Sequence, residues 1–346
     1  MLIRSRAPVR IDFAGGWTDV AIFAEKTPGY VLNAAIDIYS YATIQVAAPD
    51  SGLKRENEIG EHGVKIYSSD YDIYVEAKNI RELEYDGNVD LVKAAIKRLD
   101  VPDGFNIITQ SVAPPGSGLG TSASMGVALI AVLAKYANKP FLKYEMAEMA
   151  STIEREELEI RGGKQDQYGA ALGSVNLMEF RGEDVKSARL NLSENVSFEL
   201  TKNLCLVYTG QSRLSGEVHE KVTQAYINGE SNTVDAIEEM KKVTCDMKIA
   251  LLKEDLESFA KLMDRNWECQ KRLHPSVTNE TIDSLFELAK KEGALGGKAC
   301  GAGGGGCILF YCRPDAEHKV RQAMTNAGIR IIDFNFDPYG VVAWQI

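Results

Sequence analysis

No apolar run in the 346-residue sequence approaches the roughly 18 residues that a membrane-spanning helix needs, and the stretch Met1-Leu2-Ile3-Arg4-Ser5-Arg6 lacks the apolar segment of a secretion signal. Basic charge is also scarce. The 39 Lys and Arg stand against 49 Asp and Glu, a net charge of -10, which leaves no field to attract nucleic acid or anionic lipid. Histidine is sparse and scattered, at 62, 219, 274 and 318, and the six cysteines at 205, 245, 269, 300, 307 and 312 form no C-x-x-C pair. Neither a structural zinc site nor a disulfide framework is indicated, so reduced and mostly buried thiols are expected. Repeats and low-complexity tracts are missing as well. These absences point to a soluble, cytoplasmic protein without nucleic-acid or membrane partners, in which any anion site must be built locally.

What is present is enough apolar sequence, 45% of residues, for full folding. The length exceeds what one core usually supports and reads as two domains. Polar residues around Gly182-Glu183-Asp184 and Ser193-Glu194-Asn195 place the boundary near 185 to 200, giving domains 1–190 and 191–346. Alternation and β-branched content predict strands over 2–14, 30–48, 64–75, 104–112, 204–210, 308–311 and 341–346, and strands alternating with polar turns from 175 to 197. Helical spacing predicts helices over 89–99, 125–137, 144–160, 218–226, 233–253, 256–273, 278–292 and 316–327, and 51–63 reads as a surface loop.

The chain is organised around Pro114-Pro115-Gly116-Ser117-Gly118-Leu119-Gly120-Thr121-Ser122-Ala123-Ser124, which joins the strand at 104–112 to an apolar helix. Glycines alternating with hydroxyl residues let backbone approach an anion closely, and the following helix adds unsatisfied amides and the positive end of its dipole. Such a cradle suits the phosphates of a nucleotide. It is neither a P-loop, since no Lys follows the last glycine, nor the dinucleotide fingerprint, whose spacing differs. The plainer alternative is a turn capping the helix through Thr121 or Ser122.

Three further stretches carry candidate chemistry. After the first strand, Gly15-Gly16 turns the chain and sets Trp17, Thr18 and Asp19 on a loop; the alternative is an Asp cap for the next helix. Glu154, Glu156, Glu157 and Glu159 crowd a helix end, either as a solvated face or with one of them a metal ligand. Just beyond, Arg161-Gly162-Gly163-Lys164-Gln165-Asp166-Gln167 sets an acid beside a cation, as a general base would be dressed. Finally, Gly296 to Gly306 is dominated by glycine, more than a turn demands, which points to a function needing bare backbone.

Three glycine-centred motifs in this order, Ala7-Pro8-x-Arg10 through Gly15-Gly16-x-Thr18-Asp19, the stretch from Pro114 to Ala123, and Lys298 to Gly306, resemble those of the GHMP kinases over the whole chain. The resemblance implies a two-domain α/β (α+β) fold, with an N-terminal domain like the second domain of ribosomal protein S5, a ferredoxin-like C-terminal domain and the active site between them. It implies ATP and Mg²⁺ as cofactors, with Pro115, Gly116, Ser117, Gly118, Leu119, Gly120, Thr121, Ser122, Ala123 and Ser124 around the nucleotide. Asp166 matches the catalytic base, Arg10 the cation beside it, and Ser122 and Glu154 the metal ligands. Gly16, Trp17, Thr18, Asp19, Lys164, Gln165, Gly303 and Gly304 fall on the acceptor side.

The Gly15-Gly16-Trp17-Thr18-Asp19 phrase differs from that of galactokinases. Together with Tyr30-Val31-Leu32-Asn33-Ala34 and the stretch from Gly162 to Tyr168, it is most similar to bacterial D-glycero-D-manno-heptose 7-phosphate kinases, and it is shared with fucokinase-type enzymes. The implied reaction is phosphorylation of the anomeric hydroxyl of a sugar or sugar phosphate. An L-fucose or other deoxysugar kinase is the alternative within enzymes, and a non-catalytic nucleotide or sugar sensor the alternative outside them. A phosphorylated acceptor needs specific cations, for which Arg213 and Lys164 are the candidates. The assembly state stays open, a homodimer included.

Overall fold

The computed structural model describes residues 1–46, 63–211 and 215–346; the expected loop at 51–63 up to His62, the last residues of the strand expected at 30–48, and Arg213 lie outside the described residues. The first part of the chain runs β1 (Leu2–Ala14), α1 (Ala21–Ala24), β2 (Gly29–Val46), β3 (Val64–Ser68), β4 (Ile73–Ala77), α2 (Asp90–Leu99), β5 (Phe105–Ser111), α3 (Thr121–Tyr136), α4 (Lys143–Thr152), α5 (Gln165–Leu172), β6 (Val175–Arg181) and β7 (Asp184–Arg189). It continues as α6 (Glu194–Asn203), β8 (Leu204–Tyr208), α7 (Ser215–Ile227), α8 (Ser231–Leu252), α9 (Leu256–Leu273), α10 (Glu280–Glu292), β9 (Ala294–Ala299), β10 (Cys307–Cys312), α11 (Glu317–Asn326), β11 (Arg330–Ile332) and β12 (Val342–Gln345). None of the described helices is long and apolar enough to cross a membrane.

An eight-stranded sheet is built on β1 and β2, in the order β12-β1-β2-β5-β3-β4, with β6 and β7 continuing from β2. The 18 residues of β2 serve two partners, β6 along Gly29–Ala34 and β5 along Ser40–Val46. Among the described residues only β3 and β5 pair in parallel. Pro8 has no amide to give the ladder, and the β1–β2 register shifts there, between Pro8 and Val9. The second sheet, β11-β8-β10-β9, is antiparallel throughout. The last strand, β12, returns to the first sheet beside β1.

Helix α3 is apolar on almost every side and is correspondingly buried from Ala123 through Ala134, apart from Met125, under the first sheet and α2, α4 and α5. The opposite side of β1 and β2, with Val9, Ile11, Phe13 and Leu32, packs on α9 and the second sheet through Phe259, Met263, Leu206 and Leu309. Phe13 meets Phe259 edge-on at 5.3 Å, and Phe259 meets Tyr311 at 5.7 Å. A continuous apolar layer therefore fixes the two sheets relative to each other, and the loops at its edge face one cleft.

Several expected elements changed. The helix expected at 144–160 leaves α-geometry after Thr152 and makes a π turn over Ile153–Glu157, which turns Ile153 and Glu154 inward. The strand expected at 64–75 is a hairpin, β3 and β4, reversed where Asp72 takes φ +51°. The end of the stretch 175–197, expected as strands and turns, instead opens α6 at Glu194, capped by Ser193 accepting from the Val196 amide. Gly296 and Gly297 belong to strand β9, and glycine is needed there because a Cβ on Gly296 would lie 1.9 Å from the Ala260 carbonyl of α9.

Candidate active site

The loop from Pro114 to Gly120 feeds α3 without a side-chain cap: Gly120 is its N-cap, at φ +75°. Neither Thr121 nor Ser122 caps the helix, so the turn-capping alternative does not describe it, and its first amides are left for another acceptor. The loop is held from behind by the second glycine-rich stretch. Cys307 N donates to the Ser117 carbonyl at 2.8 Å, and a Cβ on Gly118 would lie 2.6 Å from the Cys300 carbonyl. Much of the glycine in 300–306 thus serves loop-against-loop contact: Gly301 abuts Gly118, Gly306 abuts Ser117, and Gly303 abuts Val277.

Residue Arg10, on β1, crosses this loop to α5. Its Nε donates to Asp166 Oδ1 at 2.7 Å, Nη2 lies 2.6 Å from the same oxygen, and Nη1 donates to the Gly118 carbonyl at 2.7 Å. Burial opposes the guanidinium charge, but the carboxylates of Asp166 and Asp12 outweigh it and raise the Arg10 pKa. Asp166 keeps 28% of its side chain exposed, in the cleft, while Arg10 keeps 3%. Gly120 allows this approach, because a Cβ there would sit 3.0 Å from the Asp166 carboxyl.

Residue Glu154, turned inward by the π turn, accepts from the Ser122 hydroxyl and, at 2.5 Å, from Gln167 Nε2. It is 5% exposed, among the described residues no cation pairs with it, and burial raises its pKa. On the other side Asp19 accepts from the backbone amides of Trp17, at 3.2 Å, and Gln165, at 3.1 Å. Burial first, and the Asp166 charge second, push Asp19 up to about 6. Trp17 holds φ +97°, uncommon for a bulky residue, in a turn closed by Thr18 N donating to Gly15 O at 2.9 Å. Its indole meets the His219 ring of α7 at 4.4 Å, tilted by 37°, and burial lowers the His219 pKa to about 4, leaving that wall neutral at pH 7.

An acid with a raised folded pKa binds more protons folded than unfolded between the two values, so Asp19 lowers stability as pH rises from about 4 through about 6. Asp19→Asn should therefore gain on wild type by roughly 2–3 kcal/mol between pH 4 and pH 7, over any constant offset. Urea unfolding across that range checks it; a pH-independent difference would refute the shift.

These side chains share a cleft of about 300 Å³, lined by Arg10, Trp17, Asp19, Gly116, Ser117, Gly118, Gly120 to Ala123, Glu154, Gln165, Asp166 and Gly303 among the residues expected. Others expected there do not line it. Pro115 is exposed, Leu119 is core, and Ser124 donates to the Ala7 carbonyl at 2.8 Å. Thr18 ties the loop to Tyr30, Gly16 is buried against Asp12, and Gly304 donates to the Val277 carbonyl. Lys164 is a correction: it points away, 4% exposed, with Nζ 2.6 Å from Glu148 and 3.0 Å from Glu183, so the cation beside Asp166 is Arg10. Arg213 lies outside the described residues. The cleft also takes in Arg155, Arg161, Gln167, His219 and Cys300, which the motifs did not single out. Burial pushes the Cys300 thiol up to about 12, so it is inert.

Comparison with known proteins adds family evidence to this geometry. The model of the GHMP kinases N terminal domain matches residues 90–174, and that of the GHMP kinases C terminal matches 247–330. The chain is 32% identical to a D-glycero-alpha-D-manno-heptose 7-phosphate kinase from Campylobacter jejuni, over 99% of both chains. A crystal structure of a D-glycero-D-manno-heptose 1-phosphate kinase from Bacteroides thetaiotaomicron superposes with a TM-score of 0.80 at 30% identity, covering 99% of each. A bifunctional fucokinase/GDP-fucose pyrophosphorylase from Arabidopsis thaliana is 28% identical over 92% of this chain and 30% of its own length.

Proposed function

Since this chain belongs to the GHMP kinases and is an ATP-dependent kinase with an alcohol acceptor, we propose that it phosphorylates the anomeric hydroxyl of D-glycero-D-manno-heptose 7-phosphate, giving the 1,7-bisphosphate. The observation that carries this reading is the Arg10–Asp166 pair, open to a cleft whose far wall is an uncapped helix N-terminus behind a glycine loop. Amides of Gly116 to Ala123 and the α3 dipole hold the nucleotide phosphates. Asp166 accepts the proton of the attacking hydroxyl, and Arg10 fixes the carboxylate and offsets charge growing beside it. Asp19 and the unpartnered buried Gln165 Oε1 are placed to orient sugar hydroxyls. In this reading ATP binds on residues 1–190, and 191–346 close the acceptor side with His219 and the stretch 300–306.

Ser122 and Glu154 are the residues that would hold Mg²⁺. The fit is chemical: a buried carboxylate with which no cation among the described residues pairs, with a hydroxyl alongside, suits a hard ion that takes few protein oxygens and completes its shell with phosphates and water. When bound, the ion neutralises phosphate charge. Ser122→Ala and Glu154→Gln should each raise the Mg²⁺ concentration for half-maximal activity by roughly tenfold or more. Superimposable Mg²⁺ titrations for both variants and wild type would remove the two from that role.

The second reading is an L-fucose or related deoxysugar 1-kinase, which the fucokinase relative supports. A sensor without chemistry fits less well, because Arg10, Asp166, Ser122 and Glu154 meet in one cleft. An ATP-consumption assay across heptose 7-phosphate, unphosphorylated heptose, L-fucose and galactose separates them: the heptose phosphate should give the highest kcat/KM, and a preference for L-fucose would move the assignment.

A further inference from the structure

An acceptor that already carries a phosphate, remote from the hydroxyl that reacts, needs a cation not committed elsewhere. Among the described residues lining the cleft the basic side chains are Arg10, Arg155 and Arg161. Arg10 is taken by Asp166 and the Gly118 carbonyl. Arg155 gives Nε to Ser151 and Nη1 and Nη2 to the Glu183 carboxylate. Arg161 is different: 60% exposed, it has a loose partner in Glu220 of α7, 3.5 Å away and itself 66% exposed. Such a pair contributes little and is easily exchanged.

The position of Arg161 puts it at the acceptor end. Two residues on, Gly163 packs against Asp19 so closely that a Cβ would lie 1.9 Å from Oδ2, and the Gln165 amide donates to that same carboxylate. Across the cleft, Glu220 follows His219, which meets Trp17. Arg161 therefore stands where the Trp17 loop, the 160–163 loop and α7 converge on the cleft. The neutral Trp17–His219 wall adds no competing charge.

We infer that Arg161 clamps the distal phosphate of the acceptor, exchanging Glu220 for it, and is thereby the residue that selects phosphorylated over unphosphorylated sugars. A guanidinium fork matches phosphate oxygens in a bidentate manner, which an ammonium cannot reproduce. This rests on the sugar-phosphate reading above. It also supplies the cation that Lys164, turned to Glu148 and Glu183, does not.

Steady-state kinetics of wild type, Arg161→Ala, Arg161→Lys and Glu220→Gln, each with heptose 7-phosphate and with unphosphorylated heptose, test it. Arg161→Ala should raise KM for the sugar phosphate by roughly 10 to 100-fold with KM for ATP and kcat/KM for the unphosphorylated sugar unchanged. Arg161→Lys should recover part of the loss, Glu220→Gln should lower KM for the sugar phosphate, and inorganic phosphate should compete with acceptor in wild type but not in Arg161→Ala. If wild type turns over the sugar phosphate and Arg161→Ala leaves its KM unmoved, or lowers kcat/KM equally for both sugars, the clamp is overturned. A wild-type enzyme that prefers the unphosphorylated sugar removes the sugar-phosphate reading itself, and the clamp falls with it.

Discussion

Asp166→Asn should lower kcat by roughly 10²- to 10⁴-fold while leaving ATP affinity nearly intact, because general-base catalysis, the role proposed for Asp166, is typically worth that much and the proposed nucleotide cradle is built from other residues. Asn keeps the shape of Asp166 and an oxygen for Arg10 Nε, now 2.7 Å away, but loses the basicity that the proposed proton transfer requires. Arg10 also reaches the Gly118 carbonyl at 2.7 Å, so the loop stays anchored in the variant. Single-turnover kinetics with nucleotide binding measured separately check this. Activity within tenfold of wild type would show that positioning alone carries the reaction.

The largest effect on stability is expected from a pair that the motifs place near the chemistry. Lys298 of β9 and Asp12 of β1 meet at 2.5 Å with side chains 0% and 1% exposed, and they join the two sheets across 286 residues of sequence. Lys298→Ala leaves the Asp12 carboxylate buried without the cation hydrogen-bonded to it, with Arg10 acting on it only at longer range, a loss of roughly 3–5 kcal/mol in unfolding free energy. Since desolvating both charges already offsets much of their attraction, Asp12→Asn combined with Lys298→Met should recover most of that loss. Denaturant unfolding of the three proteins measures it. A single-variant loss below about 1 kcal/mol would mean that water reaches the unpaired carboxylate.

How far the sequence disclosed this site depended on whether the deciding interaction was local. The glycine loop opening onto α3 at Thr121 was legible because clustered glycine and hydroxyl residues before an apolar helix specify a turn into a helix start by themselves. Helices such as Leu256–Leu273 were legible from periodicity for the same reason. The union of Arg10 with Asp166 spans 156 residues and has no local signal; only the resemblance to the kinases put the two together. Lys164 misled because neighbours in sequence leave a helix start in different directions: as the N-cap of α5 it turns to Glu148 while Asp166 faces the cleft. The glycine excess of 296–306 points to a function needing bare backbone; packing accounts for part of it, with Gly296 making room for α9 and Gly301 and Gly306 for the opposite loop, while Gly301, Gly303 and Gly305 also line the cleft. Arg161 and His219 were visible as residues but not as lining, which depends on how α7 sits over the Trp17 turn.

The most direct test of the whole account is the product of the wild-type reaction, identified by ³¹P NMR and mass spectrometry after incubation with ATP, Mg²⁺ and heptose 7-phosphate. The account predicts a second phosphorus resonance coupled to the anomeric proton, with one ADP formed per bisphosphate. ADP without a new sugar ester, or a phosphate on any other hydroxyl, would contradict it.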